Sequence, residues 1–140
     1  DIKTLLEVGT DGLEQWRPVM KAMFPLSREV VKEVCAALGV AVPASLGDAV
    51  TLEQLGTGLA ARGVRAVAVH KRRVRYTIGG CTSEMTDVVA DGKPVRTVAI
   101  ESEDAVRVLG VVRAMGLAGF ENISYPRGLK ALAGTRRPEA

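Results

Sequence analysis

Residues 70–104 read HKRRVRYTIGGCTSEMTDVVADGKPVRTVAIESED. Gly79-Gly80 and Asp91-Gly92 are turn pairs at which an extended chain reverses. The stretch is therefore expected to form a meander of three antiparallel strands, over 64–78 (continuous, or two strands split by a bulge), 82–90 and 95–103. A period of two sets Lys71, Arg73, Arg75 and Thr77 on one face of the first strand. His70, Arg72, Val74, Tyr76 and Ile78 fall on the other. The second strand carries Glu84 and Thr86, with Asp87 at the opposite parity unless a bulge intervenes. The third places Thr97, Ala99, Glu101 and Glu103 together, against Val98 and Ile100. Long side chains of both signs facing each other across a sheet have two readings. One is a solvated face whose cross-strand ion pairs contribute little. The other is a site for an anion, with cations at successive positions.

Upstream, IKTLLEV at 2–8 reads as a strand closed by Gly9-Thr10-Asp11-Gly12. RPVMKAMF at 17–24 reads as a second strand with Pro18 at its start or on an edge, where a missing N–H does no harm. Lys21 would share a face with Val19 and Met23, and Trp16 before the strand reads as a core or rim anchor. Ser27 caps a helix to Leu38, with Val30, Val31, Val34, Cys35 and Leu38 as its apolar stripe and Gly39 as its stop. Cys35 on that stripe reads as a small buried hydrophobe. A second helix is expected over 51–61, capped by Thr51, with Leu52, Leu55 and Leu59 inward, although Gly56 and Gly58 weigh against it.

Downstream, 103–115 reads as a helix with Val106, Leu109, Val111 and Val112 inward and Asp104 as a possible cap. A short terminal helix starts at about Pro126, anchored by Tyr125. The sum is an α+β chain, an antiparallel sheet with helices on its outer side. It reads as one domain over residues 1–134, followed by a solvated tail at 135–140.

The chain has 140 residues, enough for one domain with a real core. Aromatic residues make up 4% of it, which argues against a base-stacking nucleic-acid platform. A net charge of +3 suits a small anionic ligand as well as a polynucleotide, so it decides nothing alone. Two cysteines without disulfide or metal spacing point to a reducing, cytoplasmic setting. No apolar run approaches the ~20 residues that cross a bilayer as a helix. Ser27 and Ser124 have no His or Asp at a telling spacing, and His70, the only histidine, shares its face with Val74 and Tyr76. No P-loop or dinucleotide fingerprint is present.

The order of these elements resembles the later part of the CYTH superfamily, the triphosphate tunnel metalloenzymes. The residues that carry the resemblance are ALGV at 37–40, the strand V-x-K-R-R-x-R-Y at 69–76, Glu84 and Asp87, I-E-S-E at 100–103, Gly116-Leu117, and S-Y-x-x-x-L at 124–129. It covers roughly residues 17–133 and rests on collinear spacing more than on an invariant motif. The resemblance implies a β-tunnel, open or incomplete here, whose inward cations grip a polyphosphate. It implies a divalent-metal-dependent triphosphate phosphohydrolase acting on a polyphosphate or nucleotide-type small molecule. Lys71, Arg73, Arg75 and Lys21 would hold phosphate, and Glu84, Glu101 and Glu103 would ligate Mg²⁺ or Mn²⁺. The family's E-x-E-x-K strand has no counterpart in IKTLLEV, and Ala99-Ile100-Glu101 stands where E-x-E is common. The open alternatives are a strand upstream of Asp1, a partner chain or second copy completing the sheet, or a tunnel that binds anions without catalysis.

Overall fold

The computed structural model describes residues 1–134. Its contacts divide the chain into two compact units, Asp1–Ala66 and the part from Val67 onward. Among the described residues there are four helices and three antiparallel sheets, none of them closed. The architecture is α+β with open sheets, as the sequence leads one to expect. No helix of the described residues is long and apolar enough to cross a membrane.

In the first unit β1 (Ile2–Val8) pairs with β2 (Glu14–Met20) as a two-stranded ribbon. The second strand was expected at 17–24. It starts earlier because Glu14 pairs with Val8, and it ends at Met20, so Lys21 lies just past it. Pro18 is tolerated because a two-stranded ribbon leaves every strand with an open edge. Next come β3 (Leu26–Ser27), α1 (Arg28–Leu38), β4 (Ala49–Val50) and α2 (Leu52–Ala60), with β3 and β4 paired. Ser27 Oγ accepts from Val30 N at 3.3 Å, and Val40 N–H returns to Cys35 O around Gly39. Thr51 and Gln54 form a reciprocal capping box that starts α2 despite its glycines. Gly58 is a packing residue: a Cβ there would lie 3.1 Å from the Pro43 side chain. Leu26, Val31, Cys35, Leu46, Val50, Leu55 and Leu59 form the core.

The long strand expected over 64–78 begins only at Val69. Val64 is claimed by the first core, and its N–H caps the end of α2 on Leu59 O at 3.1 Å. The second unit is then β5 (Val69–Ile78), β6 (Cys81–Ala90), β7 (Lys93–Glu101), α3 (Ala105–Ala114) and α4 (Tyr125–Ala133). The sheet order is β5-β6-β7, an unbroken antiparallel meander with no bulge. Gly79 and Gly80 take positive φ (56° and 76°), as do Asp91 and Gly92 (48° and 77°). Positive φ at both central residues matches the right-handed strand twist, which is why two residues suffice at each hairpin.

Asp104 caps α3 through Arg107 N at 3.1 Å, and Ser102 Oγ accepts from Asp104 N. This turn ends β7 at Glu101, two residues short of its expected end, and leaves Glu103 outside the strand. The buried side of α3 is Val108 and Val111, whereas Val106, expected inward, is 79% exposed. The tail at 135–140 lies outside the described residues.

Candidate functional site

The register fixes the two faces of the meander. Straight across the three strands, one face presents Lys71–Val88–Val95, Arg73–Thr86–Thr97, Arg75–Glu84–Ala99 and Thr77–Thr82–Glu101. The other presents His70–Val89–Pro94, Arg72–Asp87–Arg96, Val74–Met85–Val98 and Tyr76–Ser83–Ile100. Lys71, Arg73, Arg75, Glu84 and Glu101 are thus brought to one face, while His70 and Asp87 lie on the opposite one. Glu103 is on neither, and Lys21 belongs to the first unit, where it borders a small cleft with Asp1, Ile2, Lys3 and Pro18.

Glu84 is the centre of the charged face, with its side chain 18% exposed. Arg75 Nε lies 3.2 Å from Glu84 Oε2, Arg73 Nη1 lies 3.7 Å from the same oxygen, and Thr86 Oγ1 donates to Oε1 at 2.8 Å. Partial burial pushes the Glu84 carboxyl upward. The Thr86 and Arg75 hydrogen bonds, joined by the charges of Arg73 and Arg75, outweigh it and hold the carboxyl below its ordinary range. On the far face Asp87 bridges Arg96 at 2.7 Å and Arg72 at 3.3 Å. The Arg96 hydrogen bond is the main cause of its lowered carboxyl pKa, with slight burial opposing and Arg72 assisting.

The helix α4 lies over the end of the charged face that carries Lys71 and Lys93. Lys71 Nζ sits 3.7 Å from the centroid of the Tyr125 ring. The Tyr125 hydroxyl is 3.1 Å from Thr97 Oγ1, and Lys93 Nζ donates to Leu132 O at 2.6 Å. Beneath them Thr86, Val88 and Ala90 are about 1% exposed. Tyr125, Thr86 and Thr97 were not among the residues singled out as site candidates. The two threonines follow from strand parity once the register is known. Tyr125 is 28 residues from Thr97, and nothing local marks the contact.

The carboxylates fit poorly as a Mg²⁺ or Mn²⁺ site. Both oxygens of Glu84 are already engaged, and Glu103 has left the strand. Among the described residues no three His, Cys, Asp or Glu side chains gather where they could hold a metal ion. Arg73 and Arg75, by contrast, keep 44% and 65% of their side-chain surface exposed, so both guanidiniums can take a further acceptor. The face is chemically suited to an anion that bridges several cations. No family model, curated protein or solved structure matches this chain.

Proposed function

We propose that the Lys71–Arg73–Arg75 face of the β5–β7 sheet binds a linear phosphate chain: a triphosphate, an inorganic polyphosphate, or the triphosphate of a nucleotide-type molecule. The observation that carries the reading is a same-face row of three cations on an edge strand with a single carboxylate, Glu84, set among them. Alternate strand residues repeat at about 6.7 Å, so the row spans about 13 Å. A ligand with charge at successive positions meets every member, whereas a lone carboxylate meets one. Guanidinium forks suit phosphate oxygens because planar N–H pairs bind them two at a time. Glu84 then acts as the resident counter-ion, holding Arg73 and Arg75 in place until phosphate replaces it.

The CYTH-like order of elements supports the same reading, since a phosphate-gripping inner wall is what that resemblance implies. In such a tunnel this face would line the interior. The proposed activity is binding, since among the described residues the carboxylates do not gather to hold a divalent metal. Cys35 and Cys81 are both free and buried, which fits a reducing, cytoplasmic setting.

The test is thermal unfolding with triphosphate, longer polyphosphate or inorganic phosphate, with and without Mg²⁺ or Mn²⁺. Triphosphate at a hundred times its Kd stabilises by about 2.7 kcal/mol, which raises Tm by several degrees. The reading predicts this shift without divalent metal, and a smaller one with single phosphate. Absence of any shift at low ionic strength overturns it. Phosphate release in the same samples shows whether the bound chain is also hydrolysed.

A further inference from the structure

We infer that Tyr125 is a positioning residue for phosphate binding: it holds the ammonium of Lys71 in line with Arg73 and Arg75. The inference rests on the phosphate reading of this face and adds to it a residue from a distant element. A lysine on an edge strand swings through many rotamers, and fixing it costs about 2 kcal/mol of side-chain entropy. Arg73 and Arg75 are steadied by Glu84. Lys71 stands across from Val88 and has no carboxylate partner among the described residues, so something else must hold it. The Tyr125 ring does so, with its centroid 3.7 Å from Nζ.

The ring is itself fixed from two directions. Its hydroxyl meets Thr97 Oγ1 on β7, and its backbone opens α4, where Pro126 sets the first turn. The far end of α4 is tied to the sheet by Lys93 on Leu132 O, one of the carbonyls a helix end leaves unpaired. Lys71 nevertheless stays exposed. A π face attracts the cation without using its N–H donors, so the side of the ammonium turned from the ring is open to a phosphate oxygen. The contact therefore orders Lys71 without neutralising it, which a carboxylate partner would not do.

The experiment combines a ligand-free readout with a coupling measurement. By NMR, the Lys71 ε-methylene protons should be shifted upfield by the Tyr125 ring current in wild type and Tyr125→Phe, and not in Tyr125→Leu. Triphosphate titrations then compare wild type, Lys71→Ala, Tyr125→Leu and their combination. Tyr125→Leu should weaken binding about two- to five-fold, the scale of an exposed cation–π contact, while Tyr125→Phe restores it. In the Lys71→Ala background Tyr125→Leu should cost nothing further. Equal losses with and without Lys71, or no loss, would overturn the role of Tyr125 while leaving the phosphate face standing. If Arg73→Ala and Arg75→Ala leave triphosphate binding unchanged, the phosphate reading fails and the role of Tyr125 fails with it. A Tyr125→Leu effect on Tm alone, without the coupling, marks a purely structural residue.

Discussion

Arg75 and Glu84 stand directly opposite each other across the β5–β6 ladder, with Arg75 Nε 3.2 Å from Glu84 Oε2. Arg73 reaches the same oxygen from the neighbouring position at 3.7 Å. One carboxylate thus restrains two guanidiniums, and a phosphate must compete with it. Glu84→Gln removes the competing charge and keeps the shape. Its triphosphate affinity should rise several-fold without divalent metal, as read by calorimetry. If Glu84 were a metal ligand, the same variant would bind more weakly and lose any dependence on Mg²⁺.

The carboxyl pKa values of Glu84 and Asp87 both lie below their ordinary range, so both groups add stability in their charged form. That contribution is fully present above their unfolded-state pKa values and is lost as pH falls through the lowered folded-state values. Tm should hold steady from neutral pH down to the usual carboxylate range and fall below it. The fall should be shallower in the Glu84→Gln, Asp87→Asn double variant. Salt should reduce the effect, chiefly at the exposed Asp87 pair.

Gly79 takes φ 56° in the β5–β6 turn, and a Cβ there would lie 2.7 Å from Val111 Cγ2 on α3. Gly79→Ala should cost about 2 kcal/mol in urea denaturation, combining left-handed backbone strain with that clash. Gly92 has a similar φ of 77° but nothing within 4 Å of its Cβ position. Gly92→Ala should therefore cost only the backbone part, roughly 1 kcal/mol. Equal losses would mean that α3 does not bear on the turn.

The parts of this molecule that depend on near neighbours were readable from the residues. The turn pairs Gly79-Gly80 and Asp91-Gly92, the parity of Lys71, Arg73, Arg75 and Glu84, and the caps at Ser27, Thr51 and Asp104 are local chemistry, and the structure contains them. Competition between distant groups was not readable. Val64 looks like the start of a strand until the core of α1 and α2 takes it. Glu103 shares parity with Glu101 until Asp104 turns the chain into α3. Gly58 counts against a helix until Pro43 is seen against it. Tyr125 shows its hold on Lys71 only when α4 is folded onto the sheet.

Phosphate binding by Arg73 and Arg75 is tested most directly by calorimetric titration of triphosphate, without divalent metal, into the wild-type protein and into Arg73→Ala and Arg75→Ala. Each arginine–phosphate contact is a charge-assisted hydrogen bond worth about 1.5–3 kcal/mol. Each variant should therefore bind roughly ten- to a hundred-fold more weakly, with affinity falling as salt rises. Both arginines are exposed, so each variant should lose no more than about 1 kcal/mol of stability. Unchanged affinity in folded variants, or no binding by the wild type at low ionic strength, would contradict phosphate binding at this face.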